Sequence, residues 1–489
     1  MDASVLIFLS SGLFLGWALG ANDAANVFGT AVGTRMVRFS TAAIICSIFI
    51  IIGAVWGGAG AASTLGKLGA VNALPGAFMA AFSAALSVYL MTKAGLPVST
   101  SQAIVGGIIG WNLFSGTLTD TNTLTKIIGT WVLCPLLAAI FGAVIFKVTV
   151  KAMRFAKIHL IRVDAYTRVG LLIAGAFGSY SLGANNIANV MGVFISASPF
   201  DGIYIDGFFT LSSMQQLFLI GAIAIAVGVF TYSKRVMMTV GNDLLPLSPV
   251  GAWVAVVSHS IVLFLFASEG LKYALESSGL PSIPLVPVSS SQAVVGAVLG
   301  IALIQGGQGF RWRVFGSISL GWMATPAIAC AICFVGLFFL QNVFNQQVFR
   351  DVPYFLSNDA LDRLAKAGVS QSALRPIKGE RYDNAVALDQ ALMKIGKYSA
   401  RDREKIMDFS RRTPILIDQK FFTKVSRGLL SPERLEAVHQ LNGRFYPHEW
   451  MLKDALAERS SSWRKREDER YNQILKQDLQ FLIKLFRAK

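Results

Sequence analysis

The sequence predicts an all-α polytopic membrane protein. It is expected to hold two inverted-topology repeats of about five transmembrane elements each, with discontinuous helices, followed by a C-terminal helical soluble domain. Three observations predict this. Apolar runs long enough to span a bilayer follow one another through the first 350 residues. Two polar phrases occur twice in that region, in the same order. Beyond Arg350 the composition turns abruptly to charged and mixed residues, although only 15% of the whole chain is charged against about 25% in a soluble protein.

The runs fall near 4–32, 41–60, 74–92, 98–114 and 127–150, then near 168–197, 213–230, 250–268, 288–305 and 314–340. The basic stretch 151–167 reads as a loop between them, so the expected parts are a first repeat 1–150, a second repeat 168–345 and a C-terminal domain 346–489. The first run leads straight into a polar phrase and reads as a retained helix rather than a cleavable signal. Five crossings per half would set the halves in opposite orientations.

Charge supports this. If every run crosses and the N-terminus is outside, one side collects Arg35, Arg38, Lys93, Lys147, Lys151, Arg154, Lys157, Arg162, Arg168, Lys234, Arg235, Arg311 and Arg313. The other side holds Lys67, Lys126 and Lys272 with Asp120, Asp201, Asp206, Glu269 and Glu276. That is a positive-inside partition. It puts the C-terminal domain outside the cytoplasm. If 98–114 and 288–305 re-enter instead of crossing, the halves become parallel and basic loops fall on both faces.

Other features read as structure. The net charge of +16 marks loops rather than nucleic-acid binding, because no nucleic-acid motif accompanies it. Cys46, Cys134, Cys330 and Cys333 all sit in apolar segments and read as small buried hydrophobes, and the C-x-x-C at 330–333 has no second pair to complete a zinc set. Gly53, Gly57 and Gly60, like Gly106 and Gly110, form seams where helices approach closely. In the tail, Ser431-Pro432-Glu433 opens a helix. The stripe Tyr471, Leu475, Leu479, Leu482 and Phe486 reads as a docking or oligomerisation face, and Arg464-Lys465-Arg466 as a solvated helix start. His259, a lone histidine in an apolar run, reads as a hydrogen-bonded packing residue ahead of the alternative, a proton relay.

The repeated phrases carry the chemistry. Gly20-Ala21-Asn22-Asp23-Ala24-Ala25-Asn26-Val27 returns as Gly183-Ala184-Asn185-Asn186-Ile187-Ala188-Asn189-Val190. Pro97-Val98-Ser99-Thr100-Ser101-Gln102 returns as Pro287-Val288-Ser289-Ser290-Ser291-Gln292. Polar phrases inside apolar spans are costly in lipid unless they line a site, and paired interruptions point to a transporter's midplane site. Proline before a hydroxyl cluster reads as a helix starting within the membrane. Its free N–H groups and dipole suit an oxyanion without Lys or Arg; the bland alternative is a capped turn with no ligand. Asn and Asp oxygens on irregular backbone suit a hard cation such as sodium. Asp23, an intramembrane carboxylate, suits a cation, a proton, or a hydrogen bond from a protonated oxyanion; the last would separate hydrogen phosphate from sulfate. No catalytic triad or metal-ligand constellation is visible, so the reading is not an enzyme.

At these residues the chain resembles the inorganic phosphate transporter (PiT) family, whose members carry a Gly-Ala-Asn-Asp-x-x-Asn phrase and a Pro-x-Ser-Thr-Thr-His phrase in each half. The likeness covers roughly 1–345, and Thr239-Val240-Gly241-Asn242-Asp243-Leu244 matches a further family loop. The resemblance implies an alternating-access carrier of inorganic phosphate in the cell inner (plasma) membrane, often a homodimer, with no cofactor beyond a co-transported Na+ or H+. The phosphate-binding residues it implies are Asp23, Ser99, Thr100, Ser101, Gln102, Ser289, Ser290, Ser291 and Gln292. The cation-binding residues are Asn22, Asp23, Asn26, Asn185, Asn186 and Asn189. Its partners are phosphate and membrane lipid, not nucleic acid.

The sequence also departs from the family. Asn186 stands where a second aspartate is usual, Gln102 and Gln292 replace histidines, and Ile50 and Ala255 fill positions that are glutamate in sodium-coupled animal members. A permease for sulfate or another tetrahedral oxyanion therefore stays open, as do an anion channel and a phosphate-sensing membrane protein.

Overall fold

The computed structural model describes residues 3–93, 98–157, 159–200, 202–205, 209–234, 237, 247–307, 309–396, 398–422 and 430–487. They form two compact units. The first takes in Met1–Ser115, Thr119–Asp201 and Ser212–Phe349; the second takes in Gly116–Leu118, Gly202–Leu211 and Arg350–Lys489. The loop Thr239–Leu244 lies outside the described residues.

The first unit is helical: α1 (Ala3–Gly33), α2 (Phe39–Gly57), α3 (Ala59–Leu68), α4 (Leu74–Lys93), α5 (Thr100–Ser115), α6 (Thr121–Ala156), α7 (Leu160–Met191), α8 (Ser213–Thr231), α9 (Pro249–Leu265), α10 (Glu269–Ser277), α11 (Ser290–Ile304) and α12 (Trp312–Asn342). Among the described residues α1, α2, α4, α6, α8 and α12 are each long and apolar enough to cross a membrane, and α9 with α10, bent by 67°, makes a seventh candidate. Large apolar side chains such as Trp56, Val132, Leu320 and Met323 are exposed, as a lipid-facing surface requires.

Local chemistry sets the ends of these helices. Asp120 caps α6 by accepting from the N–H groups of Asn122 and Thr123, Ser212 and Gln215 form a capping box on α8, and Ser248 caps α9 just before Pro249. The stretch 151–167, read as a loop, is helix on both sides of a short break. It contains neither Gly nor Pro, so α6 continues until Lys157 turns left-handed at φ 46°.

Helix contacts repeat with the halves exchanged. α2 packs on α7 as α8 packs on α1, α5 on α12 as α11 on α6, and α4 on α1 as α9 on α7. Glycines mark the closest approaches. A Cβ on Gly20 would overlap the Ile225 carbonyl, and one on Gly183 the Ile50 carbonyl. Gly106 and Gly296 press likewise on the carbonyls of Pro326 and Pro135, the prolines inside α12 and α6. α1 and α7 run antiparallel, with Gly16 against Val190 and Gly175 against Phe28. α5 runs back along α4, with Gly107 against Ala80 and Gly76 against Trp111.

The second unit is itself a tandem pair, which sequence reading missed. Strands β1 (Ile203–Ile205) and β2 (Phe209–Leu211) form a hairpin in it. After them, β3 (Tyr354–Phe355), α13 (Asn358–Lys366), β4 (Arg381–Tyr382), α14 (Ala385–Ile395) and α15 (Ala400–Ser410) form one copy. The other copy is β5 (Ile415–Leu416), α16 (Pro432–His439), β6 (Phe445–Tyr446), α17 (Glu449–Arg459) and α18 (Glu469–Phe486). β3 pairs with β4, and β5 with β6, antiparallel. Tyr354 also bridges to Arg411 as Ile415 bridges to Arg487. Gly379 donates to Leu356 O as Gly443 donates to Ile417 O, both glycines having φ near 80° (81° and 77°).

Each copy has its own apolar core. The α18 stripe belongs to the second of these: Leu475, Leu482 and Phe486 are buried there, so it is a core face rather than the expected docking surface. Arg434 is buried on α16, paired with Asp478 of α18 and lying over the Tyr471 ring. The cysteines are free thiols; Cys46, Cys134 and Cys333 are buried and Cys330 is half-buried.

Candidate substrate site

α5 and α11 begin inside the first unit. At 16 and 15 residues, each rises about 24 Å or less, short of the roughly 30 Å of a bilayer's apolar core. Ser99 caps α5 by accepting from Gln102 N at 3.2 Å, and Ser289 caps α11 by accepting from Gln292 N at 3.2 Å. The residues that follow each cap have backbone N–H groups with no partner inside their own helix.

The two starts are tied to one another. Ser101 donates its hydroxyl to Val288 O at 2.9 Å, and Ser291 donates to Val98 O at 3.2 Å. The asparagines of the other phrase cross in the same sense. Asn26 Nδ2 on α1 donates to Ser290 Oγ at 3.0 Å, and Asn189 Nδ2 on α7 donates to Ser101 Oγ at 2.8 Å. Each long helix thereby holds the helix start of the opposite half.

All the sequence-predicted residues meet here, and none is more than 8% exposed. Asp23 accepts from Asn22 Nδ2 at 3.2 Å and from Thr100 Oγ1 at 3.4 Å. Asn185 accepts from Val288 N at 2.8 Å and donates to Val286 O at 3.0 Å, which pins the extended segment before α11. Asn189 Nδ2 also donates to Asn186 Oδ1 at 3.2 Å. Ile50 and Ala255 are fully buried apolar residues.

The cluster holds polar atoms with no protein partner among the described residues: Gln102 Oε1, Gln292 Oε1, Asn186 Nδ2, Asn189 Oδ1 and His259 Nδ1. Buried polar atoms seldom stay unpaired, because each one left so costs about 1–3 kcal/mol. Acceptor oxygens suit a cation or a protonated oxyanion, whereas helix starts and hydroxyls suit an anion. A half-turn of a glutamine amide exchanges acceptor for donor. Asp23 is the buried carboxylate of the cluster, and its counterpart Asn186 is an amide, so the site holds one carboxyl group where a symmetric pair would hold two.

One participant was read first as a hydrogen-bonded packing residue and only second as a proton relay. His259 Nε2 lies 2.9 Å from Ser290 Oγ, on the α11 start. The signal in the sequence was thin: a single imidazole in the apolar run that precedes the second Pro-Val-Ser phrase.

The model of the phosphate transporter family matches residues 19–333 and 282–405. A "Putative phosphate permease" of Methanocaldococcus jannaschii is 28% identical over 336 residues, 68% of this chain and 97% of that protein. The "Sulfate permease CysP" of Bacillus subtilis is 27% identical over 382 residues, 75% of this chain and 96% of that protein. A solved structure titled "The sodium-dependent phosphate transporter" shares the fold with a TM-score of 0.55 at 24% identity, over 69% of this chain and 100% of that one.

Proposed function

From the premise that this chain belongs to the phosphate transporter family, we propose that it is a secondary carrier moving inorganic phosphate with a cation by alternating access. The observation that carries the reading is the meeting of two capped helix starts, crossed by Ser101–Val288 and Ser291–Val98 hydrogen bonds, inside the membrane unit. The N–H groups of residues 100–101 and 290–291 and the Ser290 hydroxyl bind the anion, the N–H groups of Gln102 and Gln292 being used by the caps and the Thr100 hydroxyl by Asp23. Dipole ends supply the field that Lys or Arg would supply elsewhere. Asp23 and the asparagine oxygens of α1 and α7 hold the coupled cation, or Asp23 accepts the proton of hydrogen phosphate.

The carrier has inverted repeats in this reading. Antiparallel α1 and α7, each bearing its Gly-Ala-Asn phrase, support it, as do the exchanged helix contacts. α4 with α5, and α9 with α11, act as re-entrant hairpins whose tips meet at the site. A hairpin of two runs removes two crossings from each half, leaving three. Three is odd, so inversion survives re-entry, contrary to the parallel arrangement expected of a single re-entrant run. Opposite rocking of the halves exposes the tips to either side in turn.

The reading includes the cell inner (plasma) membrane and a homodimer. Sulfate is the second candidate, favoured by the similarity to the B. subtilis sulfate permease and by Asn186 in place of a carboxylate. The test is labelled phosphate uptake into proteoliposomes under imposed sodium or proton gradients, with excess unlabelled sulfate. Gradient-driven uptake that sulfate leaves intact supports phosphate, and suppression by sulfate selects the second candidate. Flux without saturation or counterflow overturns the carrier.

A further inference from the structure

Among the described residues of the first unit, His259 is the sole buried side chain able to carry positive charge. It sits against the α11 start, with Nε2 2.9 Å from Ser290 Oγ. Ser290 Oγ already accepts from Asn26 Nδ2 at 3.0 Å. A hydroxyl has one proton and two lone pairs, so His259 decides what Ser290 has left to offer. If Nε2 accepts, the Ser290 proton is committed to the ring and a lone pair faces any ligand. If Nε2 donates, both lone pairs are filled and the proton is free for an anion.

A neutral ring does either according to its tautomer, whereas an imidazolium can only donate. Elements packed on α9 bring few ionisable groups toward it. α1 brings Asp23; α6 brings the Cys134 thiol, whose Sγ lies 3.7 Å from Ser289 O; α7 turns the Tyr180 hydroxyl toward Gly57; α11 brings none. Phosphate entering this cluster adds negative charge beside Asp23, and the helix starts carry only partial positive charge. An imidazolium answers it with a full one. Left unpaired, that cation would be costly to bury, so it belongs with the anion and departs with it.

We propose that His259 takes up the proton that travels with the anion, and that through Ser290 it converts the α11 start from acceptor to donor. One proton enters the ring from water, no covalent bond to the substrate changes, and the Ser290 hydroxyl turns from the ring toward the anion. On the α5 start the partner of Thr100 is the Asp23 carboxylate instead of an imidazole, so the two helix starts do unlike work. The proposal rests on the phosphate-carrier reading and assigns its coupled cation.

The test is calorimetric titration of the full-length protein in lipid nanodiscs with inorganic phosphate. It is run between about pH 6 and pH 8 in two buffers of different ionisation heat. The wild type should take up about one proton beyond those bound by phosphate itself, and its corrected Kd should rise up to about tenfold per pH unit. His259→Gln keeps an amide to hold Ser290 but cannot titrate; it should bind without the excess proton and with a flat corrected Kd. Asp23→Asn, if it binds, should keep the excess proton.

Excess uptake retained in His259→Gln overturns the proposal, as does its loss in Asp23→Asn alone. Should His259→Gln misfold, 15N-histidine spectra of the wild type decide: one of the four histidines should become imidazolium when phosphate is added, and no change overturns the proposal. Failure of the wild type to bind phosphate at any pH is a different result, and it overturns the carrier reading itself.

Discussion

Ser101 joins the two halves more directly than any other hydroxyl in the site. Its Oγ donates to Val288 O at 2.9 Å and accepts from Asn189 Nδ2 at 2.8 Å, with all three residues buried. Ser101→Ala therefore deletes two interhelical hydrogen bonds at once. In membrane interiors such bonds average about 0.6 kcal/mol and reach about 1.7, so the expected loss is roughly 1–3.5 kcal/mol. Asn189→Ala deletes the Ser101 bond and the bond to Asn186 Oδ1. The double mutant isolates the shared bond. The assay is reversible unfolding of the full-length protein in mixed micelles titrated with SDS, applied to wild type, both single mutants and the double. The expected coupling between positions 101 and 189 is about 0.6–1.7 kcal/mol, favourable. Strict additivity would refute the crossed contact, and with it the claim that α7 holds the α5 start.

Asp23→Asn should abolish or strongly reduce gradient-driven phosphate uptake while membrane insertion stays intact, and near-normal transport would remove Asp23 from the mechanism. Ser290→Ala should weaken phosphate affinity measured by calorimetry; an unchanged Kd would make the site one-sided, built on α5 alone. Gly183→Ala forces a methyl into the Ile50 carbonyl and should destabilise the SDS unfolding midpoint by about 1–3 kcal/mol; a neutral substitution would show that α2 and α7 separate freely there. In the second unit, burial and, to a lesser degree, nearby Arg412 hold the His448 imidazole below its ordinary value of 6.5, against the opposing bond to Arg411 O. The folded form then binds this proton less readily than the unfolded chain. The stability it contributes is full above that ordinary value and is lost as pH falls below it. Protection factors at Ile415 and Leu416 should fall on acidification, and His448→Gln should flatten the fall.

How far the molecule can be read from its sequence follows from what each feature costs. The four repeated phrases stood out because Asn, Asp and Ser are expensive in an apolar span, so their pairing exposed both the duplication and the residues that meet. The pairing of α4 with α5 was harder to read. The run 74–92 is long enough to cross, and nothing in its composition tells that α5 returns along it; that is decided by Gly107 against Ala80 and Gly76 against Trp111. The basic stretch 151–167 looked like a loop because charge marks loops near membranes, yet without Gly or Pro the helices simply continue. The tail's duplication was hidden because its two copies share little beyond Gly-x-x-Tyr at 379–382 and 443–446 and the pairing of very short strands. The α18 stripe was visible, but an amphipathic stripe does not say which core it completes.

The remaining question is why a duplicated site should be chemically unequal. Scaffolding is conserved between the halves at the level of backbone contact: Gly20 and Gly183, Gly106 and Gly296, and the crossed serine bonds all have matching partners. The ionisable groups are not matched. The first half contributes Asp23 to Thr100, and the second contributes His259 to Ser290, with Asn186 left neutral. Alternating access needs the scaffold to be symmetric, because inward- and outward-facing states exchange the roles of the halves. Coupling needs the opposite. A lone carboxylate can balance a cation but disfavours an anion beside it, whereas an imidazole can be neutral in the empty site and charged in the loaded one. Dividing these tasks between the halves lets one bound anion engage both helix starts while a carboxylate stands at one and an imidazole at the other.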